Sequence, residues 1–265
     1  MPSQLRDFLA MNADCHPVLC DLDGVVWLAH EPIMGSAQAV RRLRDAGHRV
    51  VFVTNNSASK LLEQEVALAR IGIPAHGDVL TSAMAAALLV EPGERVMVCG
   101  GDGIVEALAH RGVEIAAEAP FDAVVVGFHR EFDYETMRVA SNAVRSGARL
   151  IGTNDDATYP TPQGLIPGGG AILAGIAVAS GVTPVVAGKP YAPMAALVRR
   201  EIGTDDLSMA IMVGDRPETD GLFARLLGCR YAQVWSGVTR TSTKVSPVPA
   251  FSGPNLAAIA DALLK

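Results

Sequence analysis

The sequence predicts an α/β protein built around parallel β-sheet. Short apolar runs of strand length alternate with segments of helical periodicity, a pattern typical of parallel strands joined by helical crossovers. Gly47 and Gly72 each close a helical segment, where glycine is a common C-terminal cap. The chain has 265 residues, of which 49% are hydrophobic and 19% charged, so it is long enough for one large domain or two small ones.

The predicted elements follow one another in a regular order. The first apolar run predicts a strand at residues 18–20, and a helix at 36–45, a strand at 49–53 and a helix at 59–70 come after it. The later elements are strands at 95–99, 123–126, 149–152, 209–213 and 231–235, with a helix at 194–202. Segment 160–170 is rich in proline and glycine and is expected to be a loop.

Charge and cysteine content argue against several classes of protein. The formal net charge is −6 and long runs of like charge are absent, so neither a nucleic-acid partner nor an anionic membrane surface is expected. The longest apolar run, 171–182, is shorter than the ~20 residues that span a bilayer. The four cysteines form no C-x-x-C pair, which disfavours a zinc site and a disulfide framework. We therefore expect a cytoplasmic protein.

Two aspartates, Asp21 and Asp23, directly follow the first predicted strand. Side chains alternate along a strand, so both carboxylates point to one side at its C-terminal end, where open parallel sheets bind ligands. Carboxylates so close repel unless they share a proton or a cation neutralises them, and Mg²⁺ is the natural partner of such oxygens. An Asp-Gly turn that closes the strand is the alternative. An EF-hand is excluded, because Pro32 stands where that loop needs a glutamate.

Short hydrogen-bonding side chains end the second predicted strand, at Thr54, Asn55 and Asn56. Hydroxyl, amide and backbone N–H groups just before a helix can hold an anion at the helix N-terminus. Ordinary N-capping of that helix by Ser57 or Ser59 is the alternative.

Lys189 stands out because the chain contains only four lysines. It follows the apolar run 185–187, within Gly188-Lys189-Pro190. A P-loop is excluded, because Pro190 occupies the position that a P-loop gives to serine or threonine. A solvated loop lysine is the alternative.

A third acidic strand end contains Asp215 and Asp220. Asp215 could complete an oxygen cage for the cation that Asp21 begins to hold. The alternative is a turn in which Asp220 caps the next helix.

The four clusters share one property, since each falls at the predicted C-terminal end of a strand, where one cleft would gather them. In order and spacing they resemble the four motifs of the haloacid dehalogenase (HAD) superfamily, most closely its subclass IIA of nitrophenyl phosphatase-like and phosphoglycolate phosphatase-like enzymes. The matching segments are 21–25, 54–56, 188–190 and 214–220, with 125–127, 152–155 and 167–171 similar to the cap of that subclass. The resemblance implies a Rossmann-like HAD core, residues 1–80 and 182–265, with an inserted α/β cap of the C2 type at 81–181.

The resemblance also implies a Mg²⁺-dependent phosphatase that hydrolyses small phosphomonoesters. Asp21 would attack phosphorus to give an aspartyl-phosphate, and Asp23 would protonate the leaving alkoxide and then activate water. Mg²⁺ would be held by the Asp21 side chain, the Asp23 backbone carbonyl and Asp215.

Phosphoryl oxygens would be bound by Thr54, Asn55 and Lys189 in this scheme, with Asn56 and Asp220 as supporting positions. Tyr159 stands where the members that act on pyridoxal phosphate carry a histidine, which disfavours that substrate. Tyr159 either lines the substrate pocket or is a buried structural residue.

The substrate implied is a small phosphorylated metabolite, but the cap sets its identity. Glycerol phosphate, phosphoglycolate, nucleoside monophosphates and sugar phosphates all stay open. A protein that accepts phosphate on Asp21 without turnover is an alternative of another class, which Asp23 argues against because a pure acceptor needs no acid/base. A phosphomutase is disfavoured by the large cap. Relatives often form homodimers through the cap.

Overall fold

The structure, a computed structural model, describes residues 15–28, 30–161, 164–241 and 243–265. It confirms the α/β class, since helices alternate with strands that form parallel sheets. The strands are β1 (Val18–Cys20), β2 (Trp27–Leu28), β3 (Glu31–Pro32), β4 (Val50–Thr54), β5 (Val79–Thr81), β6 (Arg95–Cys99), β7 (Glu114–Ile115), β8 (Ala123–Val126), β9 (Arg149–Gly152), β10 (Thr158–Thr161), β11 (Gly164–Pro167), β12 (Val185–Val186), β13 (Ile211–Gly214), β14 (Arg230–Val234) and β15 (Phe251–Gly253). The helices are α1 (Ser36–Asp45), α2 (Leu61–Arg70), α3 (Ser82–Ala87), α4 (Asp102–Ala109), α5 (Tyr134–Arg145), α6 (Gly169–Ser180), α7 (Ala192–Ile202), α8 (Leu222–Leu227) and α9 (Leu256–Leu263), and a π-helical turn, Pro217–Gly221, precedes α8.

The chain folds as two compact units. The first unit contains the described residues up to Val53, together with Leu68–Asp78 and Ile202–Lys265. The second contains Thr54–Ala67 and Val79–Glu201. The division into core and cap at 80/81 and 181/182 stays a prediction.

Parallel strands form the centre of the first unit, in the order β15-β14-β13-β1-β4. Strands β1 and β13 are neighbours, and Cys20 lies opposite Val213, so the two strands end side by side. Their residues are buried, as expected for parallel strands covered on both faces. The residues that follow β1 and β13 therefore lie at one edge of the sheet.

A second parallel sheet, in the order β12-β9-β8-β6-β7, forms the centre of the second unit. Helices α5 and α6 contribute Val144, Leu173 and Ile176 to the hydrophobic core that covers it. Strands β12 and β9 are neighbours, with Val186 opposite Gly152. Their C-terminal ends lead into Lys189 and Asn154.

The prediction of a loop at 160–170 is wrong. Residues 158–161 pair with 164–167 in an antiparallel hairpin, and α6 begins at Gly169. Residues 162 and 163 lie outside the described residues. Proline is compatible with a two-stranded hairpin, because each strand has an outer edge that needs no ladder N–H.

In the part of the chain that the structure describes, no helix is sufficiently long and apolar to cross a membrane. The four cysteines, Cys15, Cys20, Cys99 and Cys229, all lie in the described residues and form no disulfide there.

Candidate active site

Three carboxylates of the first unit, those of Asp21, Asp215 and Asp220, lie together. One oxygen from each lies within 4.8 Å of the others. The topology explains this, since Asp21 directly follows β1, Asp215 directly follows the neighbouring β13, and the Asp21 N–H donates to the Val213 carbonyl at 2.9 Å. The side chains are almost inaccessible, with 9%, 1% and 0% of each residue exposed. Buried like charges at this separation repel, so the cluster favours a cation or a shared proton.

The Asp215 carboxylate is held by the loop that follows β14. The Val238 N–H donates to Asp215 Oδ2 at 2.6 Å. A Cβ added to Gly237 would lie 2.0 Å from that oxygen, and one added to Gly24 would lie 2.6 Å from Asp215 Cγ. Only glycine at these two positions leaves room for the Asp215 carboxylate. A fixed carboxylate among other oxygen ligands fits a hard divalent cation such as Mg²⁺.

A buried polar chain holds the backbone of Asp215. The Gln233 side chain donates to the Asp215 carbonyl at 2.9 Å, and the Tyr231 hydroxyl donates to Gln233 Oε1 at 2.6 Å. Burial, followed by the negative charges of Asp220 and Asp215, raises the pKa of Tyr231 far above its usual range, so the phenol stays a donor. Gln233 and Gly237 were not predicted as site residues, although a glutamine inside an apolar strand indicates a buried polar role.

The Asp-Gly turn considered as an alternative is present together with the carboxylate cluster. Gly24 has a φ of 85°, and its N–H donates to the Trp27 carbonyl at 2.7 Å. Asp23 is half-buried and forms an isolated β-bridge with Trp27. The turn therefore shapes the chain after β1 without displacing Asp21 from the cluster.

Asp220 lies inside the π-helical turn and does not cap the following helix. Its Oδ2 accepts the Arg216 N–H at 3.2 Å, and its own N–H donates to the Arg216 carbonyl at 2.7 Å. The capping position of α8 is occupied by Gly221 instead. The capping alternative for Asp220 is thus wrong.

In the second unit, the Asn55 side chain clamps the backbone of Lys189. Asn55 Oδ1 accepts the Lys189 N–H at 2.8 Å, and Asn55 Nδ2 donates to the Lys189 carbonyl at 3.1 Å. Lys189 exposes only 1% of its surface, so it is not a solvated loop lysine. The structure thereby brings together two of the residues predicted to bind phosphate.

The remaining polar residues at the end of β4 organise the same loop. Thr54 Oγ1 accepts the Asn56 N–H, and Asn56 Oδ1 accepts the Ala58 N–H, both at 3.0 Å. Ser57 Oγ lies 2.8 Å from Thr153 Oγ1 and is buried, whereas α2 begins only at Leu61. N-capping by Ser57 is therefore not the role of that side chain.

Two aromatic contacts flank these loops within the second unit. The Tyr191 hydroxyl donates to Asp155, and this hydrogen bond, with burial, raises the pKa of Tyr191 to about 12. Tyr159 stacks on Phe128 with ring centroids 5.4 Å apart and an interplanar angle of 19°. Tyr159 is only half-buried, so it is not the buried structural residue of the second alternative.

Comparisons with known proteins give a consistent result. Residues 18–114 match the family described as haloacid dehalogenase-like hydrolase, and residues 186–259 match one described as HAD-hydrolase-like. A 5′-nucleotidase of Bacillus subtilis is 37% identical over 226 residues, which cover 84% of this chain and 88% of that protein.

Solved structures of similar proteins share the fold. A p-nitrophenyl phosphatase from Archaeoglobus fulgidus matches with a TM-score of 0.88 and 27% identity, over 94% of this chain and 99% of that one. A glycerol phosphate phosphatase from Mycobacterium tuberculosis, in complex with magnesium, matches with a TM-score of 0.84 and 31% identity, over 93% of this chain and 76% of that one. The chain belongs to the haloacid dehalogenase-like hydrolases, which confirms the family that its four motifs indicate.

Proposed function

We propose that the protein is a Mg²⁺-dependent phosphatase that hydrolyses small phosphomonoesters through a phosphoaspartate on Asp21. The observation that carries the proposal is the buried cluster of Asp21, Asp215 and Asp220 at the ends of two neighbouring parallel strands. Relatives named as phosphatases and as a 5′-nucleotidase support the reaction class.

Oxygen atoms alone make up the proposed metal site, which suits Mg²⁺. The side chains of Asp21 and Asp215 would hold the ion together with the backbone carbonyl of Asp23, and Asp220 would support them. When bound, the ion offsets the negative charge of the phosphate and of the nucleophile. The similar glycerol phosphate phosphatase binds magnesium, which supports this choice of metal.

The proposed reaction has two steps, and each uses the two aspartates after β1. A carboxylate oxygen of Asp21 attacks phosphorus, the bond from phosphorus to the alkoxide breaks, and Asp23 gives its proton to the leaving oxygen. Asp23 then takes a proton from water, which attacks phosphorus and releases inorganic phosphate and the Asp21 carboxylate.

The groups proposed to bind phosphoryl oxygens are the Thr54 hydroxyl, the Asn55 backbone N–H and the Lys189 ammonium. We assign the backbone group of Asn55 because its side-chain amide is engaged with Lys189. Asn56 keeps its supporting position, since its side chain accepts a backbone N–H of the same loop.

Replacement of Asp21 tests the covalent step. Asp21→Asn keeps the size of the side chain but removes its nucleophilic oxygen, so we expect phosphate release from p-nitrophenyl phosphate to fall by at least about 10³-fold. Asp261→Asn is the matched control, because Asp261 forms an exposed ion pair with Arg42. Substantial turnover by Asp21→Asn, or phosphate retained by the wild type without release, would contradict the proposal.

The proposed substrate classes follow the names of the relatives. A 5′-nucleotidase, an acid sugar phosphatase and a D-glycerol 3-phosphate phosphatase favour nucleoside monophosphates, sugar phosphates and glycerol phosphate over phosphoglycolate. A panel of phosphomonoesters ranked by kcat/KM tests whether these three classes are preferred over phosphoglycolate. We also propose a homodimer formed through the predicted cap, and light scattering tests whether the protein is dimeric. A reducing cytoplasmic setting is consistent with four cysteines that form no disulfide in the described residues.

A further inference from the structure

The Asn55 side-chain amide uses all of its hydrogen-bonding groups in one place. Its oxygen accepts the Lys189 N–H, one amide hydrogen goes to the Lys189 carbonyl, and Nδ2 also donates to Asp156 Oδ2 at 2.9 Å. Asn55 therefore fixes the Lys189 backbone on both sides of its Cα atom. The direction in which the lysine side chain leaves the backbone depends on this clamp.

Asp156 reinforces the orientation of the Asn55 amide that the Lys189 backbone favours. An ionised carboxylate can only accept hydrogen bonds, so it attracts Nδ2 and repels Oδ1. A rotated amide would set Oδ1 against both the carboxylate and the Lys189 carbonyl, and would set Nδ2 against the Lys189 N–H. All three hydrogen bonds of the clamp would then be lost.

Asp156 is itself held in place by a closed set of hydrogen bonds. Its N–H donates to Asn154 Oδ1 at 3.2 Å, and Asn154 Nδ2 donates to the Asn55 carbonyl at 2.9 Å. The Asp156 carbonyl accepts the Gly170 N–H from the first turn of α6 at 3.0 Å. Asn154 is buried, with 5% of its surface exposed, whereas Asn55 and Asp156 are half-buried.

The close approach of the lysine loop to Asn55 requires a glycine before Lys189. A Cβ added to Gly188 would lie 2.5 Å from Asn55 Oδ1 and 2.5 Å from the Thr153 carbonyl. Such a Cβ would push the loop away from both groups. The chain thus combines a glycine, an amide and a carboxylate to set the position of one lysine.

We infer that Asp156, held by Asn154, is a positioning residue that orients Lys189 for phosphate through Asn55. Its role in phosphate binding rests on the proposed function, whereas the clamp itself does not. Asp156 acts through another residue and touches no reacting atom in this scheme.

Two substitutions of Asp156 separate positioning from charge. Asp156→Ala removes the acceptor, and we expect the Lys189 backbone N–H to exchange with solvent faster, as measured by NMR of the full-length protein. We also expect kcat/KM for p-nitrophenyl phosphate to fall about 10- to 100-fold, with KM and the inhibition constant of inorganic phosphate both raised. Asp156→Asn still offers an oxygen to Asn55 Nδ2, so it should keep most of the slow Lys189 N–H exchange and most of the wild-type kcat/KM.

Asp133→Ala is the control for a purely structural effect. Asp133 caps α5 of the same unit by accepting the Thr136 N–H at 2.7 Å, so its loss should lower Tm and leave the lysine exchange and phosphate inhibition unchanged. Unchanged Lys189 exchange and unchanged kinetics in Asp156→Ala would overturn the inference. Faster exchange in Asp156→Ala, with a wild type that releases no phosphate, would instead refute the proposed hydrolase and leave the clamp standing.

Discussion

Gly237 lies so close to the Asp215 carboxylate that a single methyl group should disturb the proposed metal site. A Cβ at this position would lie 2.0 Å from Asp215 Oδ2, and the neighbouring Val238 N–H holds that same oxygen. We expect Gly237→Ala to weaken Mg²⁺ binding about 10- to 100-fold, because groups that orient a metal ligand affect affinity on that scale. Isothermal titration calorimetry with Mg²⁺ measures this directly and does not depend on the substrate.

Gly175→Ala is the matched control for that substitution. Gly175 lies within α6, and the nearest atom to an added Cβ is the Met137 sulfur at 3.9 Å. This variant should bind Mg²⁺ as the wild type does. Equal Mg²⁺ affinity in Gly237→Ala and Gly175→Ala would show that the loop after β14 has no part in orienting Asp215.

Strand β6 ends in a buried thiol whose titration should be visible in the stability of the protein. Burial raises the pKa of Cys99 from 9.0 to about 12, so the unfolded chain loses this proton at lower pH than the folded chain does. The protonated Cys99 thiol therefore contributes its full stabilisation of the folded state below about pH 9. Between about pH 9 and 12 the free energy of unfolding falls by roughly 1 kcal/mol per pH unit. Urea unfolding of the wild type and Cys99→Ala along this range isolates the effect, because other titrating groups cancel in the difference.

The cavity in Cys99→Ala should make it the less stable protein at neutral pH. Its deficit should then shrink as the pH rises above about 9, since only the wild type carries the titrating thiol. A deficit that stays constant over this range would mean that the folded thiol ionises as readily as the unfolded one.

Elements were predictable where local signals and tertiary pairing agree. The helix predicted at 36–45 is α1, Ser36–Asp45, and Gly47 after it has a φ of 92°, a conformation that glycine adopts without strain. The hairpin of β10 and β11 was missed because the turn propensity of proline and glycine outweighed an apolar alternation too short to detect. The Thr158 to Pro167 pairing is a contact nine residues apart along the chain, and no propensity scale contains it.

Over the whole molecule, topology made the carboxylate cluster predictable and side-chain geometry made the clamp unpredictable. Parallel strands expose their carboxyl ends at one edge, so Asp21 and Asp215 were expected together because each follows a predicted strand. Which groups the Asn55 side-chain amide hydrogen-bonds to depends on the positions of Lys189 and Asp156 in the folded chain. The sequence shows only that each of these residues follows a strand, and an amide after a strand suits a ligand as well as a backbone clamp.

The stability of the whole protein should respond in opposite directions to Mg²⁺ and to the loss of one buried charge. With a chelator present, Asp215→Asn removes a repelling carboxylate from the cluster with Asp21 and Asp220, so its Tm should exceed that of the wild type. Added Mg²⁺ should stabilise the wild type by about 2.7 kcal/mol at a concentration 100-fold above Kd, because only the folded site binds the ion. The variant should gain much less stability from Mg²⁺. The Tm difference between the two proteins should therefore shrink, or reverse its sign, when Mg²⁺ replaces the chelator. An equal gain in both proteins would place the bound ion away from Asp215, and a lower Tm of the variant in chelator would show that the three carboxylates are not in repulsive contact.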